Sequence, residues 1–286
     1  MREIVVISGK GGTGKTSLTA AFAYLSKEVV VADCDVDAAN LSLLLFPKKE
    51  ESHSFIGGKK AKFTGNNTEN CSKYINICRF GAIKSDCTVD PTFCEGCGAC
   101  HFLTPEGTYS FDPANCGEWY IGRFGERKLM AYAELFPGED NSGKLATLVR
   151  NQAAQLAKKN NIQDVIIDGP PGIGCPVIAS ITGVDRAVIV TEPTMSGLHD
   201  LERAFKLCEQ FKVPVSVIVN KRELNPEYAK SIKDFCYERT LEFLGTIAYD
   251  EDFHYALSEG KTILEYNPES KASKDIKKIY SRLTEY

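Results

Sequence analysis

Ile4-Val5-Val6-Ile7-Ser8-Gly9-Lys10-Gly11-Gly12-Thr13-Gly14-Lys15-Thr16-Ser17 decides the fold of this 286-residue chain. An apolar β-branched run ends in a segment that satisfies G-x4-G-K-[ST], and a helical pattern follows. Gly9, Gly11, Gly12 and Gly14 let backbone N–H groups come close to phosphate oxygens. The helix that opens at Lys15 adds the favourable end of its dipole. In such a loop Lys15 bridges the β- and γ-phosphates of a nucleotide, the Thr16 hydroxyl ligates Mg²⁺, and Thr13 and Ser17 complete the cradle. A glycine-rich turn with no ligand is the plain alternative, but the strand before it and the helix after it argue for phosphate.

Further apolar strands are expected at Val29–Ala32, Val165–Ile167, Ala187–Val190, Val215–Val219 and around Leu244–Ala248, with helical patterns between them. One such pattern puts Leu145, Leu148, Val149 and Leu156 on a single helical face. Near-continuous apolar strands that alternate with helices predict an α/β protein of the P-loop NTPase type. Its mostly parallel sheet would be covered by helices on both faces. The alternation stops near residue 47 and resumes near 144. Glu118–Phe124 and Arg127–Leu135 flank the turn Gly125-Glu126 as a hairpin.

A formal charge of −4 gives no strong nucleic-acid signal. No run approaches the roughly twenty apolar residues of a membrane span, and the apolar run at the start is too short for a signal-peptide core, so a cytoplasmic protein is expected. In that compartment thiols stay reduced. Six of the eleven cysteines (71, 78, 87, 94, 97 and 100) crowd into thirty residues and are therefore read as metal ligands rather than disulfides. Cys34, Cys208 and Cys236 read as small buried hydrophobes.

Three strand ends carry polar residues suited to the loop's chemistry. Asp33 and Asp35 follow the second strand, and Asp168 ends Val165-Ile166-Ile167-Asp168-Gly169-Pro170-Pro171-Gly172. Carboxylates there can hold Mg²⁺ or orient an attacking water, although a strand-end Asp before Gly-Pro is also a good turn. Asn220 closes Val217–Val219, where it is either a turn former or a purine contact.

Cys94, Cys97 and Cys100 in FCEGCGAC resemble the C-x2-C-x2-C-x3-C repeat of bacterial two-cluster ferredoxins, whose fourth cysteine ligates the cluster of the other repeat. By that exchange one cluster needs Cys94, Cys97, Cys100 and Cys78, and every ligand is present. The other needs positions 68, 71, 74 and 104, occupied by Thr68, Cys71, Tyr74 and Thr104, so only Cys71 offers a thiolate. A single [4Fe–4S] cluster is expected, with Cys71 as a remnant. Zn²⁺ on the same four thiols is the alternative, disfavoured because zinc sites usually pair two C-x2-C knuckles.

The extra Lys10 in KGGTGKT, the DGPPG strand, TEPT at Thr191–Thr194, the VNK strand end and the cysteine insert together resemble the MinD/ParA/nitrogenase-iron-protein superfamily with an inserted ferredoxin-like domain. The resemblance implies a dimer that sandwiches ATP, in which Lys10 reaches the partner's phosphates. It places Asp33 near the magnesium shell and Asp35 as the water-activating or switch residue. Asp168 becomes the Walker B acid, Gly172 a switch N–H for the γ-phosphate, and Asn220 the base contact. The loop LGTIAYD departs from the family's G-x-I-P-Y-D at Ala248. Cys175 stands seven residues after Asp168, the offset of a cluster ligand in the nitrogenase iron protein. The simpler reading is a buried thiol at a helix start.

The expected organisation is an ATPase domain in two parts, 1–60 and 117–286, around an iron–sulfur insert at 61–116. The implied function is slow ATP hydrolysis to ADP, stimulated by dimerisation or a partner. It would be coupled to the cluster in electron transfer or metallocofactor assembly, with a metalloprotein or redox client. A MinD/ParA-like positioning ATPase at a membrane or on DNA is the alternative, and the stripe Ile276, Ile279, Tyr280 and Leu283 is its candidate membrane face. A biosynthetic ligase on the same scaffold would leave the insert without a role.

Overall fold

A computed structural model of the chain describes residues 1–65 and 70–285. In chain order its elements are β1 (Arg2–Ser8), α1 (Lys15–Leu25), β2 (Val29–Asp33), α2 (Ser42–Leu45), β3 (Lys48–Phe63), α3 (Cys71–Ile75), α4 (Ala99–Leu103), β4 (Tyr109–Gly125), β5 (Lys128–Leu135), α5 (Ser142–Asn160), β6 (Asp164–Pro171), α6 (Cys175–Ile181), β7 (Arg186–Thr191), α7 (Met195–Gln210), β8 (Val215–Val219), α8 (Pro226–Glu238), β9 (Glu242–Thr246), α9 (Asp252–Ser258), α10 (Ile263–Tyr266) and α11 (Lys271–Thr284). The strands form one nine-stranded sheet in the order β3-β4-β5-β2-β6-β1-β7-β8-β9. From β5 to β9 every neighbouring pair is parallel.

The chain divides into two compact units. The first comprises residues 1–52, 120–133 and 142–286, and the second 53–119 and 134–141. In the first unit β1 is apolar on both sides. Ile4 and Val6 join a core with Leu18 and Phe22 of α1 and Ile276 and Ile279 of α11. Val5 and Ile7, which point the other way, are fully buried as well. Both faces of the sheet are therefore covered, as unbroken apolar strands require.

Three expectations change in this unit. Strand β3 begins at Lys48, where the alternation was expected to stop, and its first seven residues are exposed and mostly charged or polar. Such a strand suits the edge of a sheet, where charge deters pairing with another chain, and it has no apolar rhythm to read. On α5 the buried face is Leu145, Ala146, Val149, Ala153 and Ala157, one step round from the leucine stripe expected, with Leu148 and Leu156 only half-buried. The α11 stripe is not available to a membrane: Ile276, Ile279 and Leu283 are buried, and Tyr280 hydrogen-bonds Ser26 at 2.8 Å. Among the described residues no helix is long and apolar enough to cross a membrane.

The second unit has few large buried apolar side chains, chiefly Phe55, Ile83 and Tyr109. Cross-links stand in for a larger core. Cys71 and Cys87 form a disulfide, with Cα atoms 5.1 Å apart. Lys60 pairs with Glu139 and donates to Pro91 O. Tyr109 donates to Cys87 O at 3.0 Å, while Phe63 and Tyr74 pack around its ring. Cys71 is thus a half-cystine rather than a leftover metal ligand, and the expectation that all thiols are reduced does not hold for this pair.

Candidate functional site

The phosphate-binding loop leaves the carboxyl end of β1, between β6 and β7, where open parallel sheets present their ligands. Parallel register sets Asp33 of β2 directly beside Asp168 of β6. Lys15, at the start of α1 and 6 % exposed, reaches into this pair of strand ends. Its Nζ lies 3.1 Å from Asp35 Oδ2 and 3.3 Å from Asp168 Oδ1. Thr16 Oγ1 donates to Asp168 Oδ2 at 2.7 Å, and Thr19 Oγ1 donates to Asp168 Oδ1 at 3.0 Å. Asp33 is fully buried and accepts the N–H groups of Asp35 and Leu41.

The electrostatics are unbalanced, with three carboxylates facing one ammonium. Burial, then the neighbouring Asp168, pushes the Asp33 carboxyl well above its ordinary range. Burial also raises Asp35, against the pull of Lys15. For Lys15 burial acts downward, but Asp168 and Asp35 outweigh it and hold the ammonium above its usual value. A divalent cation would relieve this excess of negative charge. The residues present therefore fit Mg²⁺, with Thr16, Asp33 and Asp168 as the groups to hold it.

Gly14 shows why the loop tolerates no side chain there. It sits at φ 91°, and an added Cβ would lie 2.4 Å from Asn220 Nδ2. Asn220 holds the loop from behind: its Nδ2 donates to Thr13 O at 2.8 Å and its Oδ1 accepts from Lys221 N–H at 2.9 Å. One amide hydrogen is left for a base. Gly172 departs from expectation, because its N–H donates to Ser8 O at 2.8 Å rather than facing a phosphate position. Lys10 is paired within its own chain, 3.0 Å from Glu192. Glu192 also meets Lys221 at 2.6 Å. Neither Glu192 nor Lys221 was anticipated as part of the site, although both stand at the ends of apolar strands.

Gly11–Ser17, Asp35, Asn220 and Tyr249 line a cavity of about 1250 Å³. That is above the usual range for a small-ligand site and roomy enough for a nucleoside triphosphate. Thr13 Oγ1 is buried beside it with no hydrogen-bond partner among the described residues, an unused polar group in a phosphate cradle.

In the second unit the loop that carries Cys94, Cys97 and Cys100 turns at Gly96 (φ 62°), where an added Cβ would lie 2.4 Å from Lys59 O. Ala82 N–H donates to Cys78 Sγ at 3.3 Å. Burial raises the Cys100 thiol, and its neighbours Cys94 and Cys78 raise it further. Four thiols supply the donor set of a thiolate-bound cluster, although a raised thiol is harder to ionise and the charge of the cluster would have to offset that. Among the described residues no three His, Cys, Asp or Glu side chains converge tightly enough to hold a metal ion. Of the positions counted for a second cluster, Thr68 lies outside the described residues. Tyr74 packs on Tyr109, and Thr104 donates to Cys100 O at 2.7 Å. Cys175, expected to be buried, is exposed at the start of α6.

Residues 4–263 match the family described as CobQ/CobB/MinD/ParA nucleotide binding domain. Uncharacterized protein MJ0578 of Methanocaldococcus jannaschii is 33% identical, with 99% of this chain and 97% of that protein covered. An iron-sulfur cluster carrier protein of Pyrococcus horikoshii is 26% identical over 99% of this chain and 87% of its own length. Among solved structures, the septum site-determining protein MinD of P. horikoshii, complexed with Mg-ADP, superposes with a TM-score of 0.60. It is 18% identical, with 99% of this chain and 96% of that one covered.

Proposed function

The chain belongs to the CobQ/CobB/MinD/ParA nucleotide-binding family, within the MinD/ParA superfamily of P-loop ATPases, and from that premise we propose that it is an ATP-hydrolysing dimeric switch whose second unit carries one [4Fe–4S] cluster. The observation that carries the nucleotide reading is the convergence of Lys15, Thr16 and Asp35, which line a cavity of about 1250 Å³, on the buried Asp168. The loop N–H groups and Lys15 bind the β- and γ-phosphates, and Lys15 leaves the carboxylates to do so. Asp35, freed from Lys15, orients water in line with the γ-phosphate, and Lys10 of a second copy adds positive charge where it develops. Mg²⁺ held by Thr16, Asp33 and Asp168 would supply further charge neutralisation. Asn220 both fixes the loop and faces the base.

The cluster assignment rests on ligand count and donor character at Cys78, Cys94, Cys97 and Cys100, and the similarity to an iron-sulfur cluster carrier protein supports it. A metalloprotein that accepts electrons or a cluster is the corresponding client. Phosphate release should require Mg²⁺ and rise more than linearly with protein concentration, and Lys10→Ala should remove that curvature. After anaerobic purification, counting should give about four irons and four sulfides per chain. A protein carrying only zinc ends the iron–sulfur reading, and turnover strictly linear in protein ends the dimer.

A further inference from the structure

Glu192 ties together parts of the nucleotide site that are distant in sequence. It is the first residue after β7 and is 8 % exposed. One carboxylate oxygen meets Lys10 Nζ at 3.0 Å and the other meets Lys221 Nζ at 2.6 Å. Lys221 also donates to Gly12 O at 3.2 Å and is held at φ 56°, a conformation a lysine keeps only when its surroundings fix it. Burial on its own would raise the Glu192 carboxyl. The hydrogen bonds and charges of Lys221 and then Lys10 hold it below its ordinary value, so it remains an anion.

The two lysines are not equivalent. Lys221 is fixed at both its backbone and its tip, whereas Lys10 lies on the loop itself with its side chain about one-third exposed. When a buried pair loses one member, the charge left behind is the main cost. That cost is small for Lys10, because Glu192 keeps Lys221 after Lys10 departs. The terminal phosphate of a nucleotide carries more negative charge than a carboxylate already shared between two cations, and it can outcompete Glu192.

We infer that Glu192 is a positioning residue that stores Lys10 within its own protomer and surrenders it to the nucleotide of a second copy, so that it sets how much protein is needed for turnover. This rests on the trans role of Lys10 proposed above. The stored state is testable without nucleotide. An ammonium held at a carboxylate must give up its proton and its partner before it can be acylated. In Glu192→Gln, acetylation of Lys10 by acetic anhydride, followed by mass spectrometry, should run at least threefold faster than in the wild type, whereas Glu192→Asp should stay close to wild type. Equal rates overturn the inference.

The consequence is read from phosphate release against protein concentration. Glu192→Gln should reach half-maximal specific activity at least fivefold lower in protein than the wild type, and Glu192→Asp should restore the wild-type threshold. In the Lys10→Ala background Glu192→Gln should have no such effect. A threshold that does not move, or that moves equally without Lys10, overturns the inference, since the residue would then act only through Lys221 and loop order. A wild type with no dependence on protein concentration defeats the trans reading itself, and the acetylation rates still decide whether Glu192 holds Lys10.

Discussion

The two units place their functional side chains by opposite means. In the first, backbone register does the work: parallel pairing puts Asp33 beside Asp168, and the strand-to-helix turn delivers Lys15 to both Asp35 and Asp168. In the second, which has little apolar core, position comes from cross-links, namely the Cys71–Cys87 disulfide, Lys60 with Glu139, and the Tyr109 hydrogen bond. A site built on register is finished when the sheet forms. A site built on cross-links is finished only when the last link closes, and there Cys78 and Cys94 are near enough to Cys100 to act on its thiol.

The contrast can be broken hardest at Lys15. Lys15→Ala removes the phosphate contact and leaves Asp33, Asp35 and Asp168 without their cation, so phosphate release should fall by about 10²–10³-fold. The cysteines of the second unit should remain as protected from alkylation as in the wild type. A parallel loss of protection would show that the two units are not independent. The converse test is Cys71→Ser. Removing the disulfide should destabilise the second unit by about 3 kcal/mol. Its amide exchange should then accelerate by roughly two orders of magnitude, with the strands β1 and β6 unmoved.

A finer probe is the pH dependence of Asp33. An aspartate whose folded value is raised binds more protons folded than unfolded. It therefore withdraws stability as pH rises from its ordinary value of about 4 through the raised one. Asp33→Asn does not titrate, so its stability relative to the wild type should grow with pH in that window. The slope is at most about 1.4 kcal/mol per pH unit, and Mg²⁺ should flatten it. Paired melts in chelator and in Mg²⁺ measure this, and a relative stability that declines with pH would contradict it. The smallest effect belongs to Thr194, whose hydroxyl caps α7 by accepting Gly197 N–H at 3.0 Å. Thr194→Ala should cost about 1 kcal/mol, seen as a lower melting midpoint.

Legibility in the sequence followed the same division. The six apolar strands of the sheet were readable because burial on both faces leaves continuous runs such as Val29–Ala32. Lys15, Thr16, Asp35 and Asp168 were readable because each closes or follows such a run. Strand β3 was not, since an edge strand led by KKEESHS has no apolar period. The Cys71–Cys87 bond was missed because ligand spacing explains Cys71 on its own, and spacing says nothing of which thiols meet in space. Glu192 carried a usable signal, an acid at the end of an apolar strand in TEPT. Its link to Lys10 depends on which strands become neighbours, and that order is a tertiary fact.

The docking of α11 has a consequence for how the protein is made. Phe22 of α1, the helix that starts at Lys15, and Ser26 at its C-terminal cap rest against Tyr280, while Leu18 shares a core with Ile276 and Ile279. The helix that opens at the nucleotide loop gains its footing only when residues 271–284 have been made and have docked. A chain that stalls before α11 carries every loop residue and lacks the platform that presents them.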